Sequence, residues 1–208
     1  MRYFILLSLA IGGLAGCGPS VIDDPGVSLP AELPEPTYSQ EAIDLNNQAG
    51  ELMIEDEAAA RALFDKAIAL DPKNPMPYTN KASLLLQQQE FAPAAECFEK
   101  LAQLRPHSAE CYVGWAYCLH RLGKPSESRE RLRYAIAAYN ERLTEKPADP
   151  QNLIGRAMAT FLYGEPERAQ QEIAQVIAAN PESGNGEELA KTMREAAGPD
   201  NLWKKLFP

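Results

Sequence analysis

From about residue 39 to residue 183, apolar side chains recur three and four positions apart, with no strand-like alternation and no runs of β-branched residues. The spacing predicts helices throughout, an all-α chain. Punctuation between the helices is just as regular. Asn74-Pro75 and Asp149-Pro150 each place a capping side chain before a proline whose missing N–H does no harm in a first helical turn, and Ser108 precedes another start. Gly123-Lys124-Pro125 and Gly164-Glu165-Pro166 mark further breaks of the same kind. Leu132, Ile136, Tyr139 and Leu143 carry one stripe on to Pro147, which predicts a helix about two turns longer than its neighbours.

Setting Pro72 against Pro106 reveals a repeating register, within which Ala60 matches Ala94, Phe64 matches Phe98 and Ala67 matches Leu101. Tyr78, Ala82 and Leu85 precede the second of these sets. Tyr112, Trp115, Ala116 and Leu119 then precede Leu132 and Ala135, and Leu153 and Ala157 precede Ala169, Ile173, Val176 and Pro181. Small Ala82, Ala116 and Ala157 admit a neighbouring helix, and the large residues one turn away fill the space around it. One helix pair alone cannot bury these faces, whereas stacked pairs can. The pattern resembles the tetratricopeptide repeat. That resemblance implies a right-handed superhelical stack of antiparallel helix pairs, a solenoid of about four repeats over residues 39–183, with units at 41–74, 75–108, 109–149 and 150–183. A capping helix at 184–198, carrying Leu189 and Met193 on one face, and an amphipathic tail at 199–208 complete it. Two departures stand out: Gln48 and Glu51 occupy first-unit positions where a small and an aromatic residue are usual, and the fourth unit begins seven residues late.

In the resembled family the second, fifth, ninth and twelfth positions of each leading helix line a binding groove. Those positions here are Met76, Thr79, Ser83 and Leu86; Glu110, Val113, Tyr117 and His120; and Gln151, Ile154, Met158 and Phe161. A lining of Met, Leu, Tyr and Phe suits an apolar helix or an extended peptide, with polar rims setting register; packing against adjacent helices is the other use of the same residues. The Lys and Asn ring with which some family members clamp a terminal carboxylate is missing, which disfavours recognition of a chaperone C-terminus. The tail Leu202-Trp203-Lys204-Lys205-Leu206-Phe207 is expected to fold back on the last repeat, with a partner-binding or interfacial peptide as the alternative.

Ahead of the repeats, Met1-Arg2 and the short apolar run to Gly16 have signal-peptide form and are too short to span a bilayer. Leu14-Ala15-Gly16-Cys17 resembles the bacterial lipobox. The resemblance implies removal of residues 1–16 and attachment of lipid at Cys17, palmitate included. Gly18 in place of the Asp that retains some lipoproteins in the inner membrane points to the outer membrane, facing the periplasm. Residues 17–38, with five prolines after Cys17, read as a tether that reaches roughly 60 Å at about 3.1 Å per residue.

Composition narrows the rest. The chain carries 20 Lys+Arg against 29 Asp+Glu, a net charge of −9; nucleic acid, which demands clustered basic charge, is excluded as a partner. Arg129, Arg131 and Arg133, near Arg121 and Lys124, read as a solvated face on one helix. Cys111 and Cys118 are roughly 10 Å apart along one helix and cannot bridge; only Cys97 can pair with either, and free buried thiols are the default. The two histidines, His107 and His120, have no catalytic or metal-ligating spacing, and Cys118 and His120 lie about 200° apart around their helix. No CxxC, HExxH, GxSxG or phosphate-loop motif occurs. The expectation is therefore a non-enzymatic protein with no cofactor and no metal, a scaffold or assembly factor of the bacterial cell envelope. It would be held to the membrane by its N-terminal lipid and bind a protein or peptide segment of a pilus, secretion or cell-wall machine. Self-association as a structural lipoprotein, or chemistry at an unrecognised site, are the other readings.

Overall fold

The computed structural model describes residues 27–31, 34, 36–179, 184–196 and 198–206; the leader 1–16 and Cys17 lie outside the described residues. The chain folds as four helix pairs, α1 (Gln40–Leu52) with α2 (Glu57–Leu70), α3 (Pro75–Gln87) with α4 (Phe91–Leu104), α5 (Ala109–Arg121) with α6 (Pro125–Glu145), and α7 (Pro150–Tyr163) with α8 (Pro166–Ala179). Two further helices follow, α9 (Gly184–Ala196) and α10 (Pro199–Leu206). No strand occurs among the described residues. Each helix packs chiefly on its neighbours in sequence, so the molecule is a stack, but α10 leaves that order and returns to α7.

Local chemistry accounts for the helix starts. Asn74 Oδ1 accepts from Met76 N at 3.0 Å and Asp149 Oδ1 from Asn152 N at 2.8 Å, each ahead of a first-turn proline. Asp56 caps α2 in the same way through Ala59 N. Ser108 differs: α5 begins after it, yet its hydroxyl donates to Glu110 instead of capping a backbone amide. In α1 the buried stripe is Ala42, Asn46 and Ala49, while Gln48 and Glu51 face solvent. Buried Asn46 and Ala49 thus fall two residues ahead of Gln48 and Glu51, and Ala49 packs with Ala60, Phe64 and Leu84.

Close approach between successive pairs is made by a ring set against a glycine. The Phe98 ring of α4 lies on Gly114, and the Tyr139 ring of α6 lies on Gly155, each so close that a Cβ on the glycine would overlap it. Gly114 and Gly155 are the sixth residues of their helices, and the sixth residue of α3, Asn80, instead donates to buried Asn46 at 2.9 Å.

Helix α6 runs for 21 residues against 14 in α2, α4 and α8, as the Leu132–Leu143 stripe predicts. The far end of the lengthened helix is packed, not projecting. Ile136, Tyr139 and Leu143 are buried, Arg142 forks onto Glu110 at 2.6 and 2.9 Å and donates to the His107 carbonyl, and Asn140 accepts from Arg156 at 3.1 Å. Arg156 is fully buried in α7 and also reaches Glu172 of α8 at 3.3 Å, so one guanidinium ties three helices together. Arg131 stacks over Trp115 at 4.5 Å, which takes one member of the basic stretch out of free solution.

Cys97, Cys111 and Cys118 are free and buried. Burial raises all three thiols, Cys118 to about 12, and with so little thiolate they are inert at neutral pH.

Two outcomes follow from the α6 contacts. Gly155→Ala gains about 1 kcal/mol of helix propensity but forces the Tyr139 ring out of its seat, a loss of about 1–3 kcal/mol. Urea unfolding should show net destabilisation that Tyr139→Leu in the same chain relieves; an unchanged or raised midpoint would refute the ring-on-glycine account. Burial tends to raise the Glu110 carboxyl, but the Arg142 fork and charge outweigh it and hold the carboxyl below its ordinary value. The folded state therefore binds that proton less readily than the unfolded chain, so the contribution is whole above the ordinary Glu value of about 4.3 and is lost as pH falls through the lower folded value. Acid unfolding of wild type and Glu110→Gln should converge across that window. Parallel curves would show that the fork carries no such linkage.

Candidate protein-binding groove

The twelve positions assigned to a groove fall on one face of α3, α5 and α7, but the structure divides them. On α3, Met76 is 45% exposed, and Thr79 and Ser83 bond back to their own helix with Leu86 half-buried between two core clusters. The Thr79 hydroxyl donates to the Pro75 carbonyl and the Ser83 hydroxyl to the Thr79 carbonyl, both at 3.1 Å, so each faces outward only as an acceptor. Glu110 and Gln151 are exposed, with Glu110 held by Arg142. Ile154 and Met158 are half-buried against the main core. Val113, Tyr117 and Phe161 are buried, at 6%, 5% and 1% exposure.

Helix α10 covers this second half. Leu202 and Trp203 are buried in the same cluster as Val113, Tyr117, Phe161 and Leu162, which places these two tail residues back on the last repeats as expected, while Phe207 lies outside the described residues. The Trp203 ring lies 5.5 Å from that of Tyr117 and stacks on His120 at 5.7 Å with 24° between planes. Tyr117 also meets Phe91 edge-on at 5.8 Å. Arg121 lies over Phe91 at 4.2 Å and donates to the Tyr117 hydroxyl at 2.7 Å. The arrangement is an aromatic seat: Tyr117 fixed by Phe91 and Arg121 on one side, with His120 and Tyr117 presented to an incoming ring on the other. A cavity of about 530 Å³ remains beside it, lined by His120, Arg129, Leu132 and Leu162 and by Pro199, Asp200 and Trp203 of α10.

Phe91 and Arg121 are absent from the groove set read from the sequence. Phe91 extends the stripe of Ala94, Phe98 and Leu101 one turn upstream, and that spacing marks it. Arg121 lies one helical turn after Tyr117, the i,i+4 separation at which side chains meet. His120 belongs to an aromatic stack, and among the described residues no group of three or more His, Cys, Asp or Glu is placed to hold a metal ion.

The turns that join successive pairs carry a second contact. Ser39 N donates to Asp71 at 2.8 Å, Leu29 packs on the main core, and the His107 imidazole lies between the Glu141 carboxylate and the Pro30 carbonyl, 2.9 Å from its Nε2. A cavity of about 980 Å³ lined by Pro34, Pro36, Tyr38, His107 and Arg142 runs beside them. The described residues of the proline-rich segment, 27–31, 34 and 36–38, therefore lie along the domain, where an extended tether was expected. Among the described residues no helix is long and apolar enough to cross a membrane.

A family model of the tetratricopeptide repeat matches residues 63–92. The chain is 28% identical over 137 residues to stress-induced-phosphoprotein 1 of Caenorhabditis elegans, covering 62% of this chain and 42% of that protein. It is also 28% identical over 116 residues to the STIP1 homolog of Dictyostelium discoideum, covering 54% of this chain and 21% of that one. The chain thus spans less than half the length of the curated relatives it matches. Among solved structures it is similar to YrrB, described as a tetratricopeptide-repeat protein with an unusual peptide-binding site, at TM-score 0.51 and 19% identity, covering 79% of this chain and 81% of that one. MamA of Desulfovibrio magneticus aligns at TM-score 0.54 and 13% identity, covering 81% and 92%. Residues 63–92 match a tetratricopeptide repeat, and the helix pairs around them stack with the fold of solved tetratricopeptide-repeat proteins.

Proposed function

We propose that this protein is a non-catalytic interaction scaffold of the bacterial cell envelope, lipidated at Cys17 and held to the outer membrane on its periplasmic side, with the α3–α5–α7 face receiving a protein or peptide segment. Repeat stacks of this fold generally serve as protein-interaction scaffolds. The observation that carries the binding half of the reading is the uncovered stretch of that face on α3, where Met76, Thr79 and Ser83 stand exposed along one side of the helix and Leu86, half-buried against the main core, follows them. A face that alternates apolar side chains with hydroxyls offers a helix or peptide both contact area and register. The anchoring half rests on Leu14-Ala15-Gly16-Cys17 and its position after a short apolar leader. Several acyl chains at one residue exceed the two signals that stable anchoring takes.

Each half has its own test. Cys17→Ser should move the protein from the outer-membrane fraction to the soluble fraction; retention of the variant in that fraction would end the lipoprotein reading. A photo-crosslinking residue at Thr79 or Ser83 should trap a discrete protein in intact cells, whereas the same residue at exposed Lys66 on α2 should not. Equal trapping from both positions would move binding off this face.

A further inference from the structure

We propose that the seat formed by Tyr117, His120, Phe91 and Arg121 is a receptor for a short amphipathic helix led by a large aromatic side chain, and that α10 fills it in cis until such a helix from a partner protein displaces it. This rests on the groove reading above and names the class of partner.

Three observations carry it. First, the seat already holds a helix of this kind: Trp203 is 3% exposed between the Tyr117 and His120 rings, with Leu202 fully buried beside it. Second, α10 is short and rests on its seat and on the neighbouring α9. Eight residues are too few for a stable isolated helix. Its link to α9 passes through Gly198 at φ 156°, a backbone conformation that residues with side chains rarely adopt and that turns the chain back on itself. A short tethered segment with few contacts belongs to the least stable part of a fold and opens first. Third, α10 underfills the site. Between the first turn of α10 (Pro199, Asp200) and His120, Arg129, Leu132 and Leu162 a cavity of about 530 Å³ stays open, so a helix with the same aromatic anchor and bulkier side chains ahead of it makes contacts that α10 lacks. The α10 of a second copy would leave that cavity as empty as its own does, which argues for a different protein over exchange between copies.

Competition in cis lowers the apparent affinity of any incoming helix by the fraction of time that the seat is open. The probe is a fluorescein-labelled peptide of residues 198–208, followed by anisotropy with the full mature chain. Trp203→Ala should bind it at least tenfold more tightly than wild type, and adding Tyr117→Ala to that chain should abolish the gain. Equal affinity for wild type and Trp203→Ala, or binding that survives Tyr117→Ala, overturns the proposal, as does a Trp203→Ala chain of native helicity that binds nothing. Dimerisation of Trp203→Ala in place of peptide binding overturns it in favour of exchange between copies. If Trp203→Ala fails to fold, hydrogen exchange on wild type decides. Excess unlabelled peptide should speed exchange of the amides of residues 199–206, and no change refutes displacement. Peptide binding without crosslinking from Thr79 leaves the receptor intact and removes the envelope partner; crosslinking without peptide binding leaves the scaffold and removes this seat.

Discussion

Successive helix pairs can share a core only if their backbones approach closely, and in this stack a ring pressed onto a glycine sets that distance. Phe98 lies on Gly114 and Tyr139 on Gly155. The separation along the chain from ring to glycine is the same in both cases, although the third unit is seven residues longer than the second. The spacing across the interface is thus kept while the length of the unit changes. The added turns of α6 enter before Tyr139, and α7 packs on the end of the helix as α5 packs on the end of α4. The buried Arg156 reaches back to Asn140 and forward to Glu172 across that same separation, so the polar ties follow the same register as the rings. At the first interface no glycine is available, and Asn80 meets Asn46 instead. A buried amide pair fixes register through hydrogen-bond geometry where a ring and a glycine fix it through shape.

Much of this was legible in the sequence, because both helical periodicity and the repeat from Pro72 to Pro106 are read directly along the chain. Ala60, Phe64, Ala82, Ala94, Ala116, Leu132 and Ala157 are buried, as their repeat positions imply. The long third unit was readable from the same stripe. The first unit was not: strict register puts Gln48 and Glu51 at the packed positions, whereas burial selects Asn46 and Ala49, each two residues earlier. Four residues link α1 to α2 against three between α3 and α4, and a repeat read at one fixed spacing does not show that change. Gly114 and Gly155 also lay in plain view, but their role appears only when Gly114 is paired with Phe98 and Gly155 with Tyr139.

The groove was legible as a set of positions and not as a surface. Repeat position shows which face a residue occupies; it says nothing of what the rest of the chain does with that face. Tyr117 and Phe161 stand where the family pattern puts groove residues, and both are buried because Leu202 and Trp203, from the far end of the chain, join their cluster. In the turns between units His107 and Asp71 hold the segment before α1, again through partners distant in sequence. Both flanking segments therefore lie on the stack.

A face that is already covered changes what selectivity means. An incoming helix gains nothing from contacts that it merely shares with α10, since those are lost when α10 leaves. Only the difference between the two helices counts. The aromatic contact with Tyr117 and His120 is common to both and sets the class of ligand, while the space bounded by Arg129, Leu132 and Leu162 is open only to a helix that fills it. If α10 holds its seat by even about 1–2 kcal/mol, a factor of roughly 5 to 30, a weak aromatic peptide is shut out and a partner that reaches the added surface is not. Apolar burial at roughly 25 cal/mol per Å² makes about 100 Å² of such extra contact sufficient to tip that balance. On that proposal α10 sets a threshold, which only a helix that reaches the added surface crosses.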